Sequence, residues 1–127
     1  MALSRCAEEV AAGIRAHNWS DAPWRLDRAG HNRSTDPKRP AEHLDPDETD
    51  RVRTNVMWVT AQVLLHADPN FSVEEFAVAC GIPRGITHRS DGKFSGALAG
   101  GLRIRDGVPA TPGTWDIAPR QDPGARS

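Results

Sequence analysis

Asp45-Pro46-Asp47-Glu48 is the feature that most restricts the fold of this chain. It places a side-chain acceptor at a helix N-cap, proline at the first helical position and glutamate at the third, with acids near the positive end of the helix dipole. The apolar pattern that follows predicts one long helix from 45 to about 66. At 100° per residue, Val52, Val56, Met57, Val59, Thr60, Ala61, Val63, Leu64 and Leu65 cover most of its circumference. Asn55 and Gln62 occupy a narrow wedge beside Trp58. A helix this apolar on every side is expected to be enclosed by other elements, as a central core helix.

Around it the chain divides into an amphipathic start, an irregular arm and a run of short elements. Leu3, Cys6, Ala7, Val10, Ala11 and Ile14 fall at helical spacing over residues 2–15. Residues 18–45 are rich in Asn, Asp, Pro, Gly and Arg, with Trp19, Trp24 and Leu26 as their strong apolar anchors. This predicts an arm pinned by the two tryptophans and loose over 29–41. Ser72-Val73-Glu74-Glu75 repeats the capping signature, with Phe71 and Phe76 at the two positions of a hydrophobic staple. Gly81 is placed to end that helix in the left-handed conformation. Residues 84–89 suit a short helix, and Ser90-Asp91-Gly92 a break. Phe94, Ala97, Leu98 and Leu102 have helical spacing, although Gly96, Gly100 and Gly101 each cost about 1 kcal/mol relative to alanine. Asp106-Gly107 suits a tight hairpin turn within 102–109. Beyond Pro109 the apolar content is slight apart from Trp115 and Ile117, which predicts a mostly disordered tail over 110–127. The expected fold is therefore mainly α: one helical bundle domain over 1–109 with a short β-hairpin.

At 127 residues the chain suits one domain. It has no apolar run of membrane-spanning length, so no membrane partner is expected. Glu8 and Glu9 stand where a signal peptide would be basic and then apolar, which predicts a cytoplasmic protein. Cys6 and Cys80 read as reduced thiols, since a disulfide-built domain of this size would use more cysteines. The five histidines and two cysteines form no CxxC, HxxxH or HExxH spacing, and His31-Asn32 lacks the companions of an HNH nuclease. No phosphate-binding glycine motif and no nucleophile relay occurs. The expectation is a protein without metal or cofactor, and not an enzyme.

Net charge is −1, yet the signs are segregated. Arg25, Arg28, Arg33, Lys38 and Arg39 face only Asp27 and Asp36 in one stretch. Residues 42–75 are strongly acidic, and Arg84, Arg89, Lys93, Arg103 and Arg105 then face only Asp91. Such asymmetry gives a near-neutral chain a basic surface. The stretch from 25 to 39 reads first as a solvated loop and second as a DNA-contacting arm.

Phe76-Ala77-Val78-Ala79-Cys80-Gly81-Ile82-Pro83-Arg84-Gly85-Ile86-Thr87-His88 resembles the centre of a helix-turn-helix DNA-binding unit. Ala77 matches the small residue that lets two helices approach, Gly81 the turn, Ile82 the apolar residue after it, and Ile86 the anchor of the recognition helix. Ile86 comes one residue earlier than the family pattern, Gly85 weakens the second helix, and Asp91-Gly92 shortens it. Over residues 72–93 the resemblance implies contact with double-stranded DNA by Arg84, Thr87, His88 and Arg89. Lys93, Arg103 and Arg105 would add phosphate contacts. In style the chain is also similar to small regulatory proteins of actinobacteria and their phages or mobile elements. A second reading remains open: a protein-interaction module that modulates a host protein, using the acidic stretch around 45–50 and the polar arm and tail. Neither reading specifies an oligomeric state.

Overall fold

A computed structural model describes residues 3–26 and 42–114 of the chain. It is mainly helical, as expected. Helix α1 spans Arg5–Ala16, α2 Pro46–Ala67, α3 Val73–Ala79, α4 Arg84–Thr87 and α5 Gly96–Gly100. Strands β1 (Ile104–Arg105) and β2 (Val108–Pro109) form an antiparallel hairpin, with Ile104 opposite Pro109 and Arg105 opposite Val108.

Local chemistry accounts for each start and stop. Ser4 Oγ accepts from the Ala7 amide at 3.1 Å, so α1 begins just after it. Ala7, Ala11 and Ile14, on one face of α1, are buried. The arm that follows is pinned by Trp19, whose indole N–H donates to the Ile14 carbonyl at 3.0 Å. Trp24, expected as a second anchor, is 45% exposed on a single 3-10 turn, Ala22–Trp24. The part of the arm expected to be loose, and most of the basic stretch from 25 to 39, lie outside the described residues, as does the tail from 115.

The capping box of α2 is complete. Asp45 Oδ1 accepts from the Glu48 amide at 2.7 Å, and Glu48 Oε1 accepts from the Asp45 amide at 2.9 Å. The helix does not become the enclosed element its composition suggests. Thr54, Met57, Ala61 and Gln62 are buried, whereas Val59 is 72% and Val63 47% exposed. The reason is length. At 1.5 Å per residue, 22 residues of α2 extend about 33 Å, while α4 and α5, with four and five residues, reach about 6–8 Å. Helices this short cannot wrap a long one, and among the described elements α1, α3 and β2 are the ones that pack on α2.

Phe76 and Met57 form the centre of the core, with Ala61, Ala77, Cys80 and Leu98 also fully buried. The Phe71–Phe76 staple closes with ring centroids 5.2 Å apart. Two polar ties fasten the C-terminal elements to α2. Trp58 donates its indole N–H to the Leu98 carbonyl at 3.0 Å. Gln62 donates to the carbonyls of Arg103 (3.1 Å) and Ala110 (2.9 Å) and accepts from the Arg103 amide at 2.8 Å. One buried amide thereby holds both strands of the hairpin. Asp106 (φ +52) and Gly107 (φ +77) give that hairpin the left-handed pair of a type I′ turn.

Candidate nucleic-acid interface

The corner between α3 and α4 is built as a Schellman motif. The Ile82 amide donates to the Ala77 carbonyl at 3.1 Å, and the Gly81 amide to the Val78 carbonyl at 3.0 Å. Gly81 takes φ +82, as this motif requires. It also lacks a side chain where one would collide, because a Cβ there would sit 3.1 Å from Arg15 Cγ. The aliphatic stem of Arg15, in the last turn of α1, therefore lies across the corner. Ile82 is buried just beyond.

After Pro83 the chain makes a single helical turn. The Thr87 amide donates to the Pro83 carbonyl at 3.1 Å and the His88 amide to the Arg84 carbonyl at 2.9 Å. Helix α4 ends at Thr87, where a recognition helix would continue. His88 instead pairs antiparallel with Phe94, their rings stacked at a centroid distance of 4.6 Å. The Arg89 amide donates to the Lys93 carbonyl at 2.7 Å, and Gly92, at φ +87, completes the turn. Phe94, expected to begin the next helix, belongs to this small hairpin, and Ser95 caps α5 instead.

Residues directly opposite in an antiparallel pair project to the same face, and neighbouring positions to the other. His88 and Phe94 therefore share one face, Arg89 and Lys93 the reverse. Two cations facing each other repel, and Asp91 relieves this from the turn. Its Oδ2 accepts from Arg89 Nη2 at 2.6 Å, and its Oδ1 from the Lys93 amide at 3.0 Å.

The sequence-predicted residues separate into four places. Arg84, His88 and Arg89 line one shallow depression of about 460 Å³ with Gly85, Ser90 and Gly92, and Lys93 stands on the adjoining hairpin. Arg84, Arg89 and Lys93 are exposed and His88 is half-buried. Thr87 is a correction. It is only 1% exposed, its hydroxyl lies 2.7 Å from His88 Nδ1, and it faces the interior out of reach of any groove. Arg103 belongs to a different groove, beside Trp58 and Val59, with Nη1 3.5 Å from Thr114 Oγ1. Arg105 lies on the β1–β2 hairpin, its Nε 3.9 Å from Asp106. Arg15 was missed by the sequence reading, since α1 looks purely structural. Its position opposite Gly81 is set by the crossing of α1 over α3 and leaves no local signal.

Among the described residues, no three His, Cys, Asp or Glu side chains gather as a metal site. Burial pushes the Cys80 thiol up to about 12, so it stays protonated and unreactive at neutral pH. Cys6 is exposed. No helix among the described residues is long and apolar enough to cross a membrane. Comparison with known proteins finds no matching family, no curated relative and no similar solved structure.

Proposed function

We propose that the chain is a small cytoplasmic DNA-associated protein that grips the phosphate backbone of duplex DNA with Arg15, Arg84, Arg89 and Lys93. The observation that carries this reading is that Arg84 and Arg89 line one shallow depression, with Lys93 across the hairpin from Arg89. Arg15 lies over Gly81, Arg84 opens α4, and Arg89 faces Lys93 across a tight hairpin. Like charges held together with one carboxylate between them favour a polyanionic partner.

The proposed contact positions the protein and does not read sequence. Helix α4 has four residues and Thr87 is internal, so little of it is available to base edges. Phosphate contact by a few cations is independent of sequence and strongly dependent on salt. Asp91 offsets the charge of Arg89, so the four cations present a net of about three positive charges to phosphates. Three contacts give a log–log slope of about −2.7, or roughly a 40-fold loss of affinity from about 50 to about 200 mM salt.

A gel-shift titration with duplex DNA of two unrelated sequences, at those two salt concentrations, tests this. The two duplexes are expected to bind alike and to weaken together as salt rises. Arg84→Ala with Arg89→Ala is expected to weaken binding while leaving the thermal midpoint unchanged, since both side chains are exposed. Absence of retardation at low salt, or binding indifferent to salt, overturns the proposal. A host protein retained from lysate after nuclease treatment, with no shift of free DNA, favours the protein-interaction reading instead.

A further inference from the structure

The depression at the α4 corner holds a ring as well as cations. His88 closes α4 and lines the depression together with Arg84, one helical turn earlier. Its imidazole is fixed from two directions. The buried Thr87 hydroxyl lies 2.7 Å from Nδ1, and the Phe94 ring covers one face at a centroid distance of 4.6 Å and an interplanar angle of 30°. Phe94 is itself 37% exposed, so aromatic surface reaches solvent beside the cations. Asp91 is turned to Arg89, and among the described residues no carboxylate pairs with Arg84. Gly85 also lines the depression, and a Cβ placed on it would meet nothing within 4 Å.

We infer that this depression receives one unpaired nucleotide of DNA, its base laid against the His88–Phe94 ring pair and its phosphate against Arg84. The inference rests on the DNA reading above and narrows the substrate to DNA with a base outside the helical stack. An aromatic surface beside cations is what a single strand requires, because every base has a π-face and every nucleotide a phosphate. In a duplex the base faces are covered by their neighbours, and α4, at four residues, is too short to present the ring to a groove. A base at an unpaired end has no such cover. A volume of about 460 Å³ falls within the roughly 300–1,000 Å³ of small-molecule sites, room for one nucleotide and not for a helix. Gly85 fits the same occupant. Glycine weakens a helix, and nothing in the protein occupies the place of its missing Cβ, so packing does not require it. Close approach of a ligand to the backbone does.

The test is fluorescence anisotropy with the full chain at low salt, on a blunt DNA duplex, the same duplex with one unpaired end nucleotide, and the same overhang lacking its base. The abasic overhang keeps the phosphate and removes only the surface that stacks. The base-bearing end is expected to bind more tightly than the abasic one by about 5- to 150-fold, the worth of one stacked base. Gly85→Leu fills the depression with a side chain that meets no protein atom at its Cβ, so it should abolish that ratio without lowering the thermal midpoint. Phe94→Leu keeps apolar bulk, loses the ring and should reduce the ratio. Equal affinity for the base-bearing and abasic ends overturns the inference, as does a ratio that survives Gly85→Leu. If the ratio is absent while the blunt duplex still binds, the phosphate grip stands and only the nucleotide site falls. If none of the three DNAs binds, both fall.

Discussion

Gly101→Ala is the sharpest perturbation this fold offers. A Cβ at residue 101 would lie 2.1 Å from Trp58 Cε2, 2.3 Å from Nε1 and 2.6 Å from Cδ2. Carbon atoms rest about 3.5–4.0 Å apart, so the indole must retreat by about 1.5 Å. That movement breaks its 3.0 Å bond to the Leu98 carbonyl, a net loss of about 0.5–1.5 kcal/mol. Displacing packed neighbours adds about 1–3 kcal/mol. The backbone is no obstacle, since φ −81 and ψ −8 suit any residue. Reduced freedom of the unfolded chain returns about 0.4–1 kcal/mol. The net loss is about 2 kcal/mol, which for a domain of this size lowers the thermal midpoint by roughly 6–10 °C. Gly100→Ala is the control. It is the adjacent helical residue, and a Cβ there meets nothing within 4 Å. The entropic gain acts alone, and the midpoint should rise by a few degrees. Calorimetry of the two variants should therefore give opposite signs one residue apart. In a Trp58→Ala background the penalty at 101 should vanish. A midpoint for Gly101→Ala at or above the parent's would refute the placement of the indole over Gly101, and with it the wall of the groove.

Gln62→Leu removes three hydrogen bonds to the hairpin and orphans the Arg103 amide, a loss of about 2–3 kcal/mol in urea unfolding. Hydrogen exchange should quicken at Arg103 before it does in α3. Asp45→Ala removes the side-chain half of the capping box and should lower unfolding free energy by about 1 kcal/mol, read from the urea midpoint. Cys80 keeps its proton in the folded chain up to about pH 12, whereas the exposed thiol of the unfolded chain gives it up near 9. Stability from this group is therefore fully present below pH 9 and falls as pH rises from about 9 to about 12. Urea midpoints at pH 8 and 10.5 should diverge more in the parent than in Cys80→Ala. A thiol reagent at pH 8 should label Cys6 alone until denaturant is added.

What the amino-acid order determined by itself is the set of structures closed within a few residues. The capping box at Asp45, the staple of Phe71 and Phe76, the left-handed Gly81 and the Asp106-Gly107 turn each need only neighbours, and each stands where its residues predict. What tertiary structure decided is which apolar and basic residues face water. Val59 and Val63 have the same chemistry as the core, yet among the described residues no helix covers them. Thr87 and Arg84 lie one turn apart on α4, yet one is internal and the other exposed, because α5 packs on one side of it. Arg15 and Gly81, or Trp58 and Gly101, meet only after the chain has crossed itself, and a missing side chain gives no periodic signal of what will occupy its space. Burial is a property of the whole packing, whereas a cap or a turn is settled by a handful of bonds.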